Sequence, residues 1–460
     1  MIRDLAELAR VVEGTLHGAN AAFGPVTTDS REVEAGALFV ALRGERFDGH
    51  DFVAQAAERG AAGALVGRRV AAPLPQVVVG DTLGGLARFA GAWRQHFDGT
   101  VVGITGSNGK TTTKEMTGAI LAQCGTCLVT RGNLNNHIGV PLTLSRLDST
   151  HRYAVVEMGA NHLREIAHLA SIARPDVGLV TNAGPAHLEG FGGIDGVARG
   201  KGELYEALGP EGTAVINADD RFAALWHGLA RTAGRIVTFG LRERADFTAA
   251  NLGSRISDQG VLTEFVLVCP AGREPVSLAL AGEHNVMNAL AAAAAAHAAG
   301  AGLEAIARGL AAMQPVSGRL QFRAALGGAR LIDDSYNANP GSVRAGLRSL
   351  AGVPGEHWLV LGEMRELGPE SARMHAEIGE FARRNGVAKL LAVGDDARHA
   401  VEAFGPGATW FAGADDLIAA AREGLRPGVT VLVKGSRSNR LERVADALAV
   451  SGTAGQGGRH

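Results

Sequence analysis

The run Gly103-Ile-Thr-Gly106-Ser107-Asn108-Gly109-Lys110-Thr111-Thr112-Thr113 gathers three glycines, a lysine and several hydroxyls behind the apolar stretch 101–105. A strand, a glycine-rich turn and a helix in that order let successive backbone N–H groups wrap a polyphosphate, and the helix N-terminus adds a favourable dipole. Lys110 would neutralise phosphate charge, and the Thr111 hydroxyl would suit Mg2+. The spacing departs from GxxxxGK[ST], because position 104 is Ile, and Gly106 takes over the turning. Tyr153-Ala-Val-Val-Glu157 supplies the matching half of such a site, an apolar strand ending in a carboxylate able to hold Mg2+.

Further polar clusters lie far along the chain. His187, in Asn182-Ala-Gly-Pro-Ala-His187-Leu-Glu-Gly-Phe-Gly, follows a strand end, where an imidazole can be a metal ligand, a base or a structural group. Lys201, in Ala198-Arg-Gly-Lys201, is expected at a helix start, an unfavourable place for an ammonium, so a further interaction should hold it. Asn285, in Gly282-Glu-His-Asn285-Val-Met-Asn288, opens a helix and could cap it or read a base. Asp334, Tyr336, Asn337 and Asn339 crowd one strand end, where α/β sheets bind ligands. The sequence has no NKxD guanine reader and no LSGGQ-type signature, which argues against a GTPase or an ABC ATPase and leaves a small-molecule kinase open.

The elements that must position these groups alternate between strand and helix. Residues 38–42 and 76–79 read as strands and 51–59 and 82–97 as helices, with no GxGxxG after the first strand. From Gly99, strands at 101–105, 153–158, 177–182, 213–217 and 235–239 alternate with helices, the pattern of a parallel doubly wound sheet. Residues 245–280 read as an antiparallel extension, and a helix over 283–299 closes the unit. After 314–318 the pattern restarts, with strands at 331–334, 358–362, 389–394 and 429–434. An α/β protein of three domains is expected: a small α/β domain (1–97), a central parallel-sheet phosphate-loop ATPase domain (98–317) and a C-terminal Rossmann-like domain (318–460). The tail 451–460 is expected to be disordered.

With 46% hydrophobic and 20% charged residues over 460 positions, the chain has enough apolar surface to fold. A net charge of −2 gives no general attraction to nucleic acid or anionic membrane, so an anionic ligand needs a local site. Cys124, Cys127 and Cys269 cannot build a disulfide framework, the CxxC lacks a second pair for zinc, and all three are expected to be small buried residues. The N-terminal segment lacks the apolar core of a signal peptide, and the alanine-rich run 289–303 is too short and weakly apolar to span a bilayer. A soluble cytoplasmic protein is expected, with no nucleic-acid partner and no membrane insertion.

Taken together, TGSNGKTTTK, EMGAN, NAGPAHLEGFG, ARGKGELY, GEHNVMNA, Gly318-Arg319 and DDSYNANP occur in the order found in the Mur ligase family, the ATP-dependent amide ligases of peptidoglycan precursor synthesis. The chain resembles that family over about 27–443. Thr28-Asp-Ser30-Arg31 and Phe47-Asp-Gly-His50 resemble a UDP-binding first domain. GNLNNHIGVP, DDSYNANP and Gly362-Glu-Met-Arg-Glu-Leu-Gly368 are similar to the branch that adds D-alanyl-D-alanine to UDP-N-acetylmuramoyl-tripeptide. The sister branch adding diaminopimelate or lysine carries a DNPR motif that is missing here, although it stays an alternative, as does a phosphate-loop nucleotide switch. Diaminopimelate or lysine at the third peptide position fits these motifs equally.

The resemblance implies activation of a carboxylate by ATP as an acyl phosphate, then displacement of phosphate by an amine, with links to cell shape and division. Gly106, Ser107, Asn108, Gly109, Lys110, Thr111 and Thr112 would hold the phosphates, with Asn285, Arg319 and Asp334 completing the ATP site. Thr111 and Glu157 would hold a first Mg2+. His187 and Lys201 would hold a second, with Lys201 carbamylated by CO2. Lys110, Glu157, His187 and Lys201 are thus the implied catalytic set. Ser30, Arg31, His50, Asn133, Asn135 and Asn136 would bind the UDP-peptide, and Tyr336, Asn337 and Asn339 the dipeptide. A monomer is expected.

Overall fold

Short runs of β-branched and aliphatic residues become the strands of four sheets. The computed structural model describes residues 2, 4–257, 260–314 and 316–450, and the tail 451–460 lies outside them. The first sheet runs, in spatial order, Thr15–His17, Gln76–Val78, Gly63–Val66, Leu38–Val40 and Val26–Thr27, antiparallel at the first pair and parallel thereafter. The helix Thr82–Arg94 follows it and docks onto the next unit. Trp93 Nε1 donates to Leu147 O at 2.8 Å, and the buried Arg94 donates through Nε to Ala173 O at 2.9 Å and through Nη2 to Arg174 O at 3.0 Å.

The central sheet is parallel, in the order Arg235–Phe239, Thr213–Asn217, Val177–Val180, Thr100–Thr105, Tyr153–Glu157, Cys127–Val129. Its first strand in sequence, Thr100–Thr105, sits inside, with later strands added on both sides. That makes a topological switch point at its carboxyl end, the place where open α/β sheets bind ligands. The expected antiparallel extension is a three-stranded meander of Thr248–Ser257, Gly260–Cys269 and Gly272–Leu278. The last sheet runs Gln321–Ala324, Arg330–Asp334, Val429–Lys434, Glu356–Gly362, Val387–Val393, Ala408–Phe411, parallel except for its first strand.

The α/β class and its parallel sheets agree with the sequence reading. Six short strands were not foreseen: the central Gly63–Val66, whose Gly-Ala-Leu-Val run is too short and too poor in β-branched residues to stand out, and the outer strands Thr15–His17, Val26–Thr27, Cys127–Val129, Gln321–Ala324 and Ala408–Phe411. Each of the outer five lies at a sheet edge, where one side needs no apolar cover and the pattern is weak. Contrary to the expectation for all three cysteines, Cys127, on such an edge, and Cys124, in the turn before it, are half-buried, and Cys269 alone is buried. Burial still pushes the Cys127 thiol up to about 12.

The helix Lys110–Leu121 lies against Glu283–Ala298, whose residues Ala289 to Ala296 are all buried. Small side chains let two helices approach closely. On its other flank, a Cβ at Gly309 of the helix Leu303–Ala311 would run into the Ile120 backbone. Among the described residues no helix is long and apolar enough to cross a membrane.

Candidate active site

The strand Thr100–Thr105 delivers the chain into the phosphate loop through two left-handed glycines, Gly106 at φ 142° and Gly109 at φ 81°. A Cβ at Gly106 would overlap Thr181 Oγ1, and one at Gly109 would overlap Asn288 Oδ1, so neither position admits another residue without rearrangement. Gly109 precedes the helix Lys110–Leu121, and no side chain caps that helix. Its first N–H groups are therefore left for an anion. Asn108 is pinned from the neighbouring strand end: its N–H donates to Asn182 Oδ1 at 3.0 Å, and its carbonyl accepts from Thr181 Oγ1 at 2.6 Å and Asn182 Nδ2 at 3.0 Å. Ser107 Oγ donates to Gly184 O at 3.0 Å. Lys110 Nζ folds back to Gly106 O at 2.7 Å, and burial lowers its pKa against the opposing charge of Glu157.

Glu157 ends the strand Tyr153–Glu157 and is 2% exposed. Its Oε1 accepts from Asn135 Nδ2 at 2.7 Å, while its Oε2 is buried with no hydrogen-bond donor. The buried ammonium of Lys114 stands 3.9 Å from that orphaned oxygen. Thr111 opens the neighbouring helix, so a buried, unsatisfied carboxylate oxygen and a hydroxyl share one cavity, a donor set that fits a hard divalent cation.

The C-terminal unit reaches this loop directly. Arg319 Nη2 donates to Thr111 Oγ1 at 3.0 Å, and its guanidinium lies over the Tyr336 ring at 4.2 Å. Asp334 is buried with Lys434, whose Nζ stands 2.6 Å from Asp334 Oδ2 and donates to Asn337 O at 2.9 Å. Burial raises the Asp334 pKa against the pull of Lys434. Asn339 accepts from Ser342 N at 2.9 Å as the N-cap of the helix Pro340–Ala351, and its Nδ2 donates to Asn108 Oδ1 at 2.7 Å. The structure therefore gives Asn339 a capping and loop-contacting role and gives Tyr336 to Arg319. Asn337 Oδ1 accepts from Ala338 N at 2.9 Å.

Lys201 corrects the expectation of a helix start. The helix spans Ile194–Glu206, so Lys201 lies beyond its midpoint and the dipole argument fails. Gly192 and Gly193, both at positive φ, already turn the chain into this helix ahead of Ala198. Lys201 is 1% exposed, donates to Ala160 O at 2.9 Å and lies 4.9 Å above the Phe191 ring. Burial and, next, the charge of Lys110 push its ammonium well below the ordinary lysine range. His187, at φ 55°, pairs its Nδ1 with Glu366 Oε2 of the C-terminal unit, and that ring holds the Glu366 carboxyl below the usual range.

A cavity of about 700 Å³ joins the phosphate loop, Glu157, His187 and the C-terminal groups, while the buried Lys201 is not among the residues that line it. Asn133, Asn135, Asn136, His137, Asn285, Arg319, Asp334 and Asn337 all line it, as do Phe239, Leu280, Met287 and Val316 on an apolar side suited to a flat base. Asn285 does not cap its helix, whose N-cap is Gly282. Its Nδ2 donates to Ala281 O at 2.8 Å, and its Oδ1 accepts from Asn288 Nδ2 at 3.1 Å. Sequence reasoning missed Thr181, Asn182, His284, Asn288, Lys434 and Arg437, which also line the cavity. The spacing of Asn285 and Asn288 on one helix face was the available signal for one of them.

Ser30, Arg31 and His50 are not among the lining residues. Ser30 Oγ donates to Gln55 Oε1 at 2.7 Å, and Arg31 is exposed beside Asp29. His50 is 6% exposed and uses both ring nitrogens: Nδ1 meets Asp48 Oδ1 at 2.5 Å, and Nε2 accepts from Gly67 N at 2.7 Å. A ring so committed braces its loop and has no nitrogen left for a ligand. Asn133 is exposed, and Asn136 Oδ1 accepts from Gly139 N at 2.9 Å at the start of a short helix. Among the described residues no group of three or more His, Cys, Asp or Glu could by itself hold a metal ion.

Residues 104–296 match the Mur ligase middle domain, 318–437 the Mur ligase glutamate ligase domain and 24–83 the Mur ligase family catalytic domain. The chain is 44% identical to the UDP-N-acetylmuramoyl-tripeptide–D-alanyl-D-alanine ligase of Escherichia coli (strain K12), covering 98% of this chain and 99% of the relative. Crystal structure I of MurF from Acinetobacter baumannii superposes with a TM-score of 0.88 at 37% identity over 96% and 97% of the two chains. The MurF ligase of Thermotoga maritima in complex with ADP superposes with a TM-score of 0.81 at 29% identity over 92% and 96%. The architecture of three α/β domains is common to these structures. With three family patterns in order along it and relatives that match it from end to end, the chain belongs to the Mur ligase family.

Proposed function

We propose that the protein uses ATP to join D-alanyl-D-alanine to UDP-N-acetylmuramoyl-tripeptide, completing the UDP-muramoyl-pentapeptide for peptidoglycan synthesis. The observation that carries this reading is the 44% identity, over 98% of the chain, to a ligase of that name. The work divides among 1–97 for the UDP end, 98–317 for ATP and 318–460 for the amine.

In the first half-reaction an oxygen of the tripeptide carboxylate attacks the γ-phosphorus, the bond to ADP breaks and an acyl phosphate forms. In the second, the dipeptide amine attacks the acyl carbon, phosphate leaves and the nitrogen gives up its proton. Both steps crowd negative charge, so positioning and fixed cations dominate. The open N–H groups after Gly109 and the Lys110 ammonium take the phosphates. Arg319, steadied on Tyr336 and already at Thr111, brings charge from the other side. Asn285 and Asn288 bound the base pocket.

Thr111 and Glu157 would hold one Mg2+, and His187 with Lys201 a second. When bound, Mg2+ screens the phosphate and carboxylate oxygens from one another. Lys201 suits a carbamate: burial and the charge of Lys110 weaken its ammonium and so favour the amine form that adds to CO2 and loses a proton to give an oxygen-bearing anion. That anion would be stabilised by the nearby Lys110 charge. ATP and a UDP-linked precursor point to the cytoplasm, and a monomer remains the expected state.

The deciding assay is phosphate release with ATP and UDP-muramyl tripeptide, comparing D-Ala-D-Ala with free D-Ala, L-Lys and diaminopimelate. Turnover that needs both the UDP-peptide and the dipeptide is expected. A preference for a single amino acid would instead select the sister branch, and turnover indifferent to both would select a nucleotide switch.

A further inference from the structure

The dipeptide brings a carboxylate that must not react. It has to be held in the cavity, yet away from the γ-phosphate, or it would compete with the tripeptide carboxylate for activation. Among the described residues four lysines and arginines line the cavity: Lys110, Arg319, Lys434 and Arg437. Lys110 lies on the phosphate loop, and Arg319 is at Thr111. Lys434 is 2% exposed and closed off by Asp334 and Asn337.

Arg437 differs from these. Its side chain is 64% exposed, and its nearest carboxylate, Glu442 Oε1, stands 3.5 Å from Nη1, a surface pair of little strength. Its guanidinium lies 5.6 Å from the Tyr336 ring, which Arg319 also approaches, at 4.2 Å. The turn beneath it is anchored. Ser436 N donates to Glu363 O at 3.2 Å, Ser436 Oγ accepts from Arg365 N at 2.8 Å, and Asn439 Nδ2 donates to Glu363 O at 2.7 Å. A fixed backbone thus presents a planar, permanently charged fork at the cavity rim, the geometry that pairs with a carboxylate through two hydrogen bonds.

We infer that Arg437 binds the carboxylate of the incoming dipeptide, with Tyr336 as the platform that orients it. This rests on the D-Ala-D-Ala reading above and names the residue that would recognise the substrate's acidic end. The amine end then points inward, toward the acyl phosphate held between the phosphate loop and Arg319.

The test pairs a change in the enzyme with a change in the substrate. Wild type and Arg437→Gln are assayed for phosphate release with D-Ala-D-Ala and with its C-terminal amide, at saturating ATP and UDP-muramyl tripeptide. Wild type should prefer the acid, and Arg437→Gln should raise KM for the acid by about 10–100-fold while leaving KM for the amide and for ATP near wild type. The preference should therefore collapse in the variant. A variant that keeps the wild-type preference, or one whose defect falls on the KM for ATP, overturns the inference and leaves the ligase reading intact. A wild type that uses neither dipeptide overturns the ligase reading itself.

Discussion

Asn339 Nδ2 donates to Asn108 Oδ1 at 2.7 Å, so the residue that caps a helix of the C-terminal unit also touches the phosphate loop of the central one. The two jobs separate experimentally. Asn339→Ala should cost about 1 kcal/mol of stability through the lost cap and also weaken ATP use. Asn108→Ala should weaken ATP use alone. Thermal melts beside KM for ATP check this, and equal melting losses in the two variants would count against it.

Lys110→Ala should lower kcat by about 10²–10³-fold or more, because its charge meets the transferring phosphoryl group. Circular dichroism and melting should stay near wild type. A folded variant with near-normal ligation would remove Lys110 from the reaction.

Lys201→Ala should be nearly inactive and partly restored by acetate or formate, which supply the carboxylate oxygens a carbamate would have offered. Lys201→Arg should resist rescue, because its charge and bulk stay in a pocket closed by Phe191 and Ala160. Mass spectrometry of native protein under bicarbonate, looking for the added CO2, gives a second readout.

His284 predicts a pH effect. Burial, then Lys434 and Arg348, lower its pKa from 6.5 to about 4. The unfolded chain therefore binds a proton there more readily between those values, so this residue costs stability as pH falls from 6.5 toward 4 and has no effect above. Asp334, with its raised pKa, works in the opposite direction. Urea midpoints of wild type and His284→Gln should converge or cross as pH falls through that window, with the variant losing less.

His50→Ala should behave as a stability variant, losing about 1–3 kcal/mol by leaving Asp48 and the Gly67 N–H without their partner. At a temperature where the variant is folded, KM for the UDP-substrate should stay close to wild type. A large KM change without a melting change would return His50 to the binding site.

Much of this architecture was legible in the sequence. Strands such as Thr213–Asn217 and Val429–Lys434 are fully buried runs in parallel sheets, and their limits could be read directly, as could the outer strand Arg235–Phe239 from its β-branched and aromatic residues. Edge strands such as Cys127–Val129 could not be, because half their surface needs no apolar residue. Within the site, Lys110, Thr111 and Glu157 were legible because a phosphate loop is a local pattern. The pairs Arg319 with Thr111, Asn339 with Asn108 and His187 with Glu366 join residues far apart in the chain, and nothing local marks them. The position of Lys201 within its helix was not legible either, because the helix start is set by Gly192 and Gly193, several residues ahead of the lysine motif.

The alanine face of the helix Glu283–Ala298, with Gly309 opposite, leaves the phosphate-loop helix no slack. In pharmacological terms the cavity has a fixed floor and a roof attached by a few polar contacts. A compound filling the base pocket would meet a surface that cannot yield, and its selectivity would have to come from size. A compound wedged under Arg319 and Asn339 would instead prise apart the two units and stop the reaction without resembling ATP at all.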